Sequence, residues 1–527
     1  MPSYRCDTVL ALPKVKQIKI LTNSKILINE DCKNKNKILI NRYCEIQTRL
    51  LPLQLKTINL LSKMKIVKKL TLPVLVSLVM GLASCSSDDN TVHYSTNSLK
   101  NTELMTVLKS KGYQFDKDGK LELNDLANNT TSLDLSGTNL KDLSGLDILP
   151  NLKEVKLSNN GYGPVFDFAQ LPAQITGVDL TGNDIYDFEG LVNVKTEENG
   201  DETVTQLHKI TKLYLPQTAK FNIKDLVRFY REKKAEIESG SIDVKMETAK
   251  GDLQKYNTIR EIPDENIRAN FKKYFSSIFD EDGIHIDISK RLSNKERSNA
   301  CVFNKWYGVA TATTLEGVQY IVNNPYWDGK LLTVNLTNKA KLPYLRPCSG
   351  LMTLSLTNVD ASEGINLEDA TNMTGFLWVK VSGISEIDLS HSTLFGQRAI
   401  EQEQDGPGGS SLVFVECPDL KKIALPEKSG LRSYMITFAN MKSIEQVDLS
   451  KFKMISNLEL GGLSANCRIT YPELTEFHTY DKKTSFACTQ DVFDRQETKD
   501  FIKKYLKVLS SGGGYIDGVE WSSLINN

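Results

Sequence analysis

Between residues 131 and 183 the chain repeats one short apolar signature. It reads Leu133-Asp-Leu135-Ser-Gly-Thr-Asn139-Leu140, then Val155-Lys-Leu157-Ser-Asn159-Asn160, then Val178-Asp-Leu180-Thr-Gly-Asn183-Asp-Ile185. Leu135 to Leu157 is a step of 22 residues, and Leu157 to Leu180 one of 23. A fixed period of this size constrains the fold strongly, because one such unit cannot bury its own leucines. Stacked units bury them jointly and pair each short strand with the next, which gives a solenoid. Successive side chains of a strand point to opposite faces, so Asp134, Lys156 and Asp179 are expected on the open face. A further strand is expected at Leu213-Tyr214-Leu215, with Tyr214 outward, after an insertion rich in Glu, Asp, Asn and Gly (195 to 205) that reads as a loop.

A second array begins with Val334-Asn-Leu336-Thr-Asn338 and Leu354-Ser-Leu356-Thr-Asn358. In it, Val379-Lys-Val381-Ser-Gly-Ile384-Ser-Glu-Ile387-Asp-Leu389 aligns with Val415-Glu-Cys417-Pro-Asp-Leu420-Lys-Lys-Ile423-Ala-Leu425 at an offset of 36. The alternation puts Lys380 and Asp388 on the open face and makes Cys417 an aliphatic stand-in. These motifs resemble leucine-rich repeats, and Cys417 to Pro426 looks like the CxxLxxIxLP form of secreted adhesin-type members from host-associated bacteria. The resemblance implies an α/β leucine-rich repeat solenoid, whose turn asparagines bond the backbone of the neighbouring coil.

The two arrays are framed alike. Tyr113-Gln-Phe-Asp116-Lys-Asp118-Gly119 precedes the first, and Ile262-Pro-Asp-Glu-Asn-Ile267-Arg-Ala-Asn-Phe271 with Asp280-Glu-Asp282-Gly283 precedes the second. Both look like the helical cap that opens many bacterial leucine-rich arrays. Each array also closes with an amphipathic pattern, Asp225 to Tyr230 and Asp500 to Tyr505. A glycine (Gly240, Gly512) is expected to stop each closing helix, followed by a short strand at Ser241 to Asp243 and at Ile516-Asp517. The expected organisation is two capped modules, 99–250 and 251–527.

The N-terminal region carries a different signal. Lys65, Lys68 and Lys69 precede an apolar run from Leu70 to Met80, and small residues lead to a cysteine: a signal-peptide layout over 64–84, too short for a membrane span. Leu82-Ala-Ser-Cys85 resembles the bacterial lipoprotein lipobox, and Ser86-Ser-Asp-Asp89 is similar to an acidic surface-export tag. The resemblance implies that Cys85 carries lipid and anchors the chain in the outer membrane, facing outward. Residues 1–63 are then an upstream extension, and 85–98 a flexible tether.

Residues 1 to 84 hold 15 of the 65 Lys and Arg but 4 of the 65 Asp and Glu, leaving 50 basic against 61 acidic groups in the other 443 residues. An acidic mature chain argues against nucleic acid as a partner. Of nine cysteines, Cys301, Cys348, Cys417, Cys467 and Cys488 lie beyond Cys85 without CxxC spacing, so they imply neither zinc nor a disulfide framework.

Chemistry-bearing motifs are sparse. No HExxH, GxSxG or P-loop occurs, and the glycine clusters 406–409 and 512–514 lack a phosphate-cradle context. A calcium loop in the first cap would use Asp116, Asp118 and Asp125, but Gln114 replaces its acidic first ligand and Asp125 the bidentate Glu. Trp306-Tyr307 and Tyr326-Trp327 offer rings that either stack on a sugar or pack within the second cap. The resemblance implies non-catalytic recognition or adhesion toward an extracellular protein or glycan, with no cofactor. An accessory polysaccharide binder of a nutrient-uptake system is the alternative. An enzyme in 260–330 is a third reading, and it requires a polar, water-excluded cleft around His285.

Overall fold

The computed structural model describes residues 92–196, 202–397, 410–477 and 482–511. The extension, the signal segment, Cys85, both glycine clusters and the strand expected at Ile516-Asp517 lie outside the described residues. The described residues all belong to one compact unit. It is an α/β structure of parallel sheets and few helices, with no closed barrel among the described residues.

The alternating leucines make a six-stranded sheet. Ser132–Asp134, Glu154–Lys156, Gly177–Asp179, Lys212–Leu215 and Asp243–Glu247 run parallel in that order. Leu253–Lys255 closes it antiparallel, so the first sheet extends beyond the boundary expected at residue 250. Leu135, Leu157, Leu180 and Leu215 are fully buried behind it, each contributing roughly 2 kcal/mol. Past each of the first three strands the chain enters the left-handed region, at Gly137, Asn159 and Gly182. The asparagines that follow bond across coils. Asn183 Nδ2 donates to the carbonyls of Leu157 and Leu180, at 3.0 and 2.8 Å, while its Oδ1 accepts from the amides of Asn160 and Tyr162. Asn160 does the same for Leu135 and Leu157. Without these bonds, buried backbone groups at the turns would be left unsatisfied.

The second sheet has nine parallel strands, from Cys301–Phe303 through Leu331–Lys341, Thr353–Asp360, Gly375–Ser382, Ser411–Val415, Leu431–Ala439, Phe452–Gly461 and Thr484–Cys488 to Leu509–Ser511. Its backs carry two further short parallel pairs, Glu386–Asp388 with Lys422–Ala424 and Gln446–Asp448 with Arg468–Thr470.

Each array opens with the same device. A strand, a helix and an antiparallel return strand form Tyr94–Ser98, Thr102–Ser110 and Lys120–Glu122 in the first. In the second they are Ile259–Glu261, Glu265–Tyr274 and His285–Asp287. Asn101 and Asp264 cap the two helices through side-chain oxygens, which satisfy amides the first turn leaves free. Tyr94–Ser98 is therefore a paired strand rather than part of a tether. Each array also ends on a helix and a parallel strand. Gly240 terminates Lys234–Ser239, whereas Gln496–Tyr505 stops well before Gly512 and leads into Leu509–Ser511. The insertion expected as a loop contains an antiparallel hairpin, Val192–Thr196 with Glu202–Gln206.

The two arrays touch directly. Ile223 and Val227 of the first belong to the core of the second. Tyr186 stacks on Tyr344 at 4.9 Å between ring centroids, and its hydroxyl donates to Glu363. Arg346, 5 % exposed in its side chain, binds Asp187 at 3.1 Å, Glu189 at 2.5 Å, Glu368 at 3.1 Å and Asp369 at 2.8 Å. Burial pushes the Asp187 carboxyl up against the downward pull of Arg346 and Lys224.

Candidate functional site

On the first sheet, alternation places the outward residues in one line. Asp134, Lys156, Asp179 and Tyr214 are successive cross-strand partners, and Lys245 continues the row. Lys156 and Asp134 lie 3.8 Å apart. Tyr214 Oη donates to Asp243 at 2.7 Å, and Lys212 and Lys245 flank its ring, their Nζ atoms 5.1 and 5.2 Å from the centroid. Burial alone would raise the Asp243 carboxyl, but the bonds from Tyr214 and Lys245 outweigh it and hold the group below its usual range. Lys212 also reaches Glu154 at 2.8 Å across Gly177, where a Cβ would stand 2.6 Å from Glu154 Cγ. Opposite charges thus cancel along this face around one half-buried tyrosine.

The second sheet departs from the sequence expectation in register. Leu354 and Leu356 pair with Phe376 and Trp378, then with Leu412 and Phe414, Ile436 and Phe438, and Leu458 and Leu460. Those are the inward pairs, all buried. Lys380 is exposed within the strand Gly375–Ser382 but breaks its alternation: it sits in the left-handed region at φ 56° beside Glu416 at φ 53°, with 3.8 Å between their charged groups. Asp388 lies on the short back strand Glu386–Asp388, where its Oδ1 accepts the Ser390 amide, and it shares no face with Lys380. Alternation turns Leu377, Val413 and Val415 to the outward side at the sheet centre, apolar positions that the sequence reading missed, although Val413 is itself covered, at 8 % exposed. Leu377 is 43 % exposed.

The aromatic pairs separate. Trp306 is 80 % exposed and Tyr307 is 45 % exposed, on a short 3-10 turn whose first amides are held by Asn304 Oδ1. Tyr274 lies 6.0 Å from Tyr307, and Lys305 Nζ 4.8 Å from the Trp306 ring. Trp327 is only 1 % exposed and donates its indole N–H to the Asn299 carbonyl at 2.8 Å, so its ring is packed inside. Tyr326 is partly buried among Arg228, Arg231, Arg291 and Arg297.

The three calcium candidates are not drawn together around one point. Asp116 Oδ1 accepts the amides of Asp118 and Lys120 at 2.9 and 2.8 Å, which closes a turn, while Asp125 opens the separate helix Asp125–Asn129. Among the described residues no three His, Cys, Asp or Glu side chains are grouped to hold a metal ion. In the second cap Asp282 accepts the amides of Ile284 and His285 and lies 2.5 Å from His285 Nδ1. These bonds hold its carboxyl well below the usual range. That pair is solvent-accessible, not enclosed in a cleft. His208 is buried, with Nε2 2.9 Å from the Phe168 carbonyl.

All five described cysteines are buried and unbridged. Burial pushes the Cys417 thiol up to about 11 and that of Cys488 to about 12, so neither is a thiolate near neutral pH. No helix among the described residues is long and apolar enough to cross a membrane. The chain matches no protein-family model and no curated protein sequence.

Proposed function

We propose that the chain is a leucine-rich repeat solenoid of two capped arrays that recognises or adheres to an extracellular ligand, without catalysis. We further propose that lipid on Cys85 holds it at the outer surface of a bacterial outer membrane. The observation that carries the reading is the ladder itself. Parallel strands recur at one coil per step, turn asparagines bond from coil to coil, and the sheets leave an outward face lined by rows of side chains. Such a face is a common platform for binding, since it presents many side chains on rigid strands. Function remains a property of particular residues on that platform.

Two experiments test the reading. Protease shaving of intact cells should release the chain, and Cys85→Ser should abolish both acylation and membrane retention; retention by the serine variant would sink the anchor. Screening the full chain against extracellular proteins and glycans should yield a ligand whose binding weakens when Tyr214 or Leu377 is replaced by Ala.

The polysaccharide-binding alternative is favoured by one observation, the outward Trp306 followed by the exposed Tyr307, whose ring lies 6.0 Å from that of Tyr274. Rings held in solvent at this exposure suit stacking on a sugar. Glycan-array binding that disappears in Trp306→Ala supports this alternative, and binding that survives the substitution removes it.

A further inference from the structure

Where the two arrays meet, four arginines surround one tyrosine. The guanidinium carbons of Arg291, Arg231, Arg228 and Arg297 lie 4.8, 5.7, 5.8 and 6.0 Å from the centroid of the Tyr326 ring. Arg228 and Arg231 project from the helix Asp225–Glu232 of the first array, while Arg291, Arg297 and Tyr326 belong to the second. Among the described residues a single carboxylate, Glu202, pairs with the group. Arg228 binds it at 2.5 Å, the Tyr326 hydroxyl donates to it, and Arg231 and Arg291 reach it only at 3.9 and 3.8 Å.

The donors are far from used up. A guanidinium offers five N–H groups in a planar fork. Arg231 spends one on Tyr326 Oη at 3.1 Å and Arg297 one on the Tyr326 carbonyl at 2.7 Å. Arg291 makes no hydrogen bond among the described residues, and its side chain is 48 % exposed. A cleft of about 290 Å³ adjoins the cluster, lined by Arg297, Tyr326, Asp328, Lys330, Ser349 and Asn372. Asp328 and Lys330 offset one another there, and of the four arginines Arg297 alone lines it and leaves it a positive charge. This excess of positive charge stands in a chain that is acidic beyond residue 84, with 61 acidic against 50 basic groups. Guanidiniums partly withdrawn from water and stacked on a ring bind carboxylate or sulfate oxygens in pairs, more firmly than lysines would.

We propose that Arg231, Arg291 and Arg297 around Tyr326 bind an oxyanion, the sulfate or carboxylate group of an acidic extracellular polysaccharide. The proposal rests on the reading of the chain as an extracellular recognition protein and names the ligand chemistry of one site. Because the arginines come from both arrays, an anion seated there bridges them.

Calorimetric titration of the full chain tests this with three probes: a sulfated glycosaminoglycan, polygalacturonate and sodium sulfate. The double variant Arg231→Gln/Arg291→Gln is compared with the native chain, and the single exposed variant Arg291→Gln serves if the double one melts early. One polymer should bind the native chain, less tightly as salt rises, and the double variant should lose about tenfold or more in affinity at unchanged Tm. Which polymer binds decides between sulfate and carboxylate. Equal affinity in native and variant chains overturns the proposal, as does binding of neither polymer, whether or not inorganic sulfate binds. A ligand that docks through Tyr214 or Leu377, indifferent to the arginines, removes this site and leaves recognition standing. A chain that binds nothing in either screen removes both.

Discussion

The two sheets reach the same parallel ladder from different side chains. Behind the first stand leucines and valines, Leu133, Leu135, Val155, Leu157, Val178 and Leu180, and its outward row alternates acid and base. Behind the second runs a chain of packed rings: Phe376 meets Trp378 edge-on at 5.8 Å, Trp378 meets Phe414 edge-on at 5.7 Å, and Phe414 meets Phe438 at a tilt at 5.7 Å. Its turns also differ. The left-handed positions that Gly137, Asn159 and Gly182 fill in the first array pass in the second through Asn358, Lys380, Glu416, Asn440 and Gly462. The first array is built for regularity at its turns, and the second invests in its core while tolerating turn strain. Core substitutions should therefore hurt the second most, and turn substitutions the first.

The largest effect follows from the rings. Trp378 is 1 % exposed and touches aromatic partners on its own strand and the next. Trp378→Ala should cost about 4 kcal/mol, read as a lower midpoint in urea unfolding, whereas Val155→Ala in the first array should cost about half that. Equal losses would mean that the aromatic ladder adds nothing beyond buried area.

The second effect belongs to the turns of the first array. Asn183→Ala removes donors to two buried carbonyls and an acceptor for two amides at once. A loss of about 3 kcal/mol is expected, since each stranded buried group costs on the order of 1 kcal/mol or more. Asn358, exposed on one side and donating chiefly to the Leu336 carbonyl at 2.7 Å, should cost about 1 kcal/mol when replaced by Ala. Thermal unfolding of both variants measures the ratio; a ratio near one would erase the contrast between the arrays.

These same features explain how far the sequence could be read. Leucines alternating with polar residues name their own faces, so the row Asp134, Lys156, Asp179 and Tyr214 was legible. Phe376-Leu377-Trp378 is apolar throughout and shows no alternation. The neighbouring Val379-Lys380-Val381 does alternate, and it drew the register three residues off. The offset of 36 held nonetheless, since Gly375 pairs with Ser411 and Glu386 with Lys422. Trp306 and Trp327 each adjoin a tyrosine, and local sequence does not distinguish the exposed ring from the buried one. Arg346 and Asp187 are 159 residues apart, beyond the reach of any local pattern. The arginines around Tyr326 were invisible for the same reason, gathered from two arrays by tertiary packing.

A third prediction concerns the junction where the arrays meet. Burial pushes the Asp225 carboxyl up to about 6, a shift deepened by the charge of Asp187 and opposed by the Val192 amide, Arg228 and Lys224. The folded chain therefore holds a proton that the unfolded chain has released, and this group's contribution to stability falls as pH rises from about 4 to 6. Asp225→Asn removes the titration while keeping an acceptor for Val192. Relative to the native chain, it should be nearly neutral at pH 4 and more stable by about 1–2 kcal/mol at pH 7, as followed by Tm across that range. A difference that does not change with pH would show that Asp225 titrates normally.

The smallest effect returns to the turns of the second array. Glu416 is held at φ 53°, and a residue with a Cβ pays roughly 1 kcal/mol or more to stay in the left-handed region. Glycine removes that strain but costs up to about 1 kcal/mol through the greater freedom of the unfolded chain. The contact with Lys380 is 3.8 Å long between half-exposed side chains and adds little. Glu416→Gly should therefore shift stability by less than about 0.5 kcal/mol in either direction, the two terms nearly cancelling. Gly182 in the first array stands in the opposite position: a Cβ there would lie 2.1 Å from Asn159 Oδ1, so Gly182→Ala adds a clash to the left-handed strain. Paired urea titrations should find the glutamate variant near the native midpoint and the alanine variant well below it. A glutamate variant that falls as far would mean that the strand ends of the second array depend on that side chain, and the distinction between the two kinds of turn would fail.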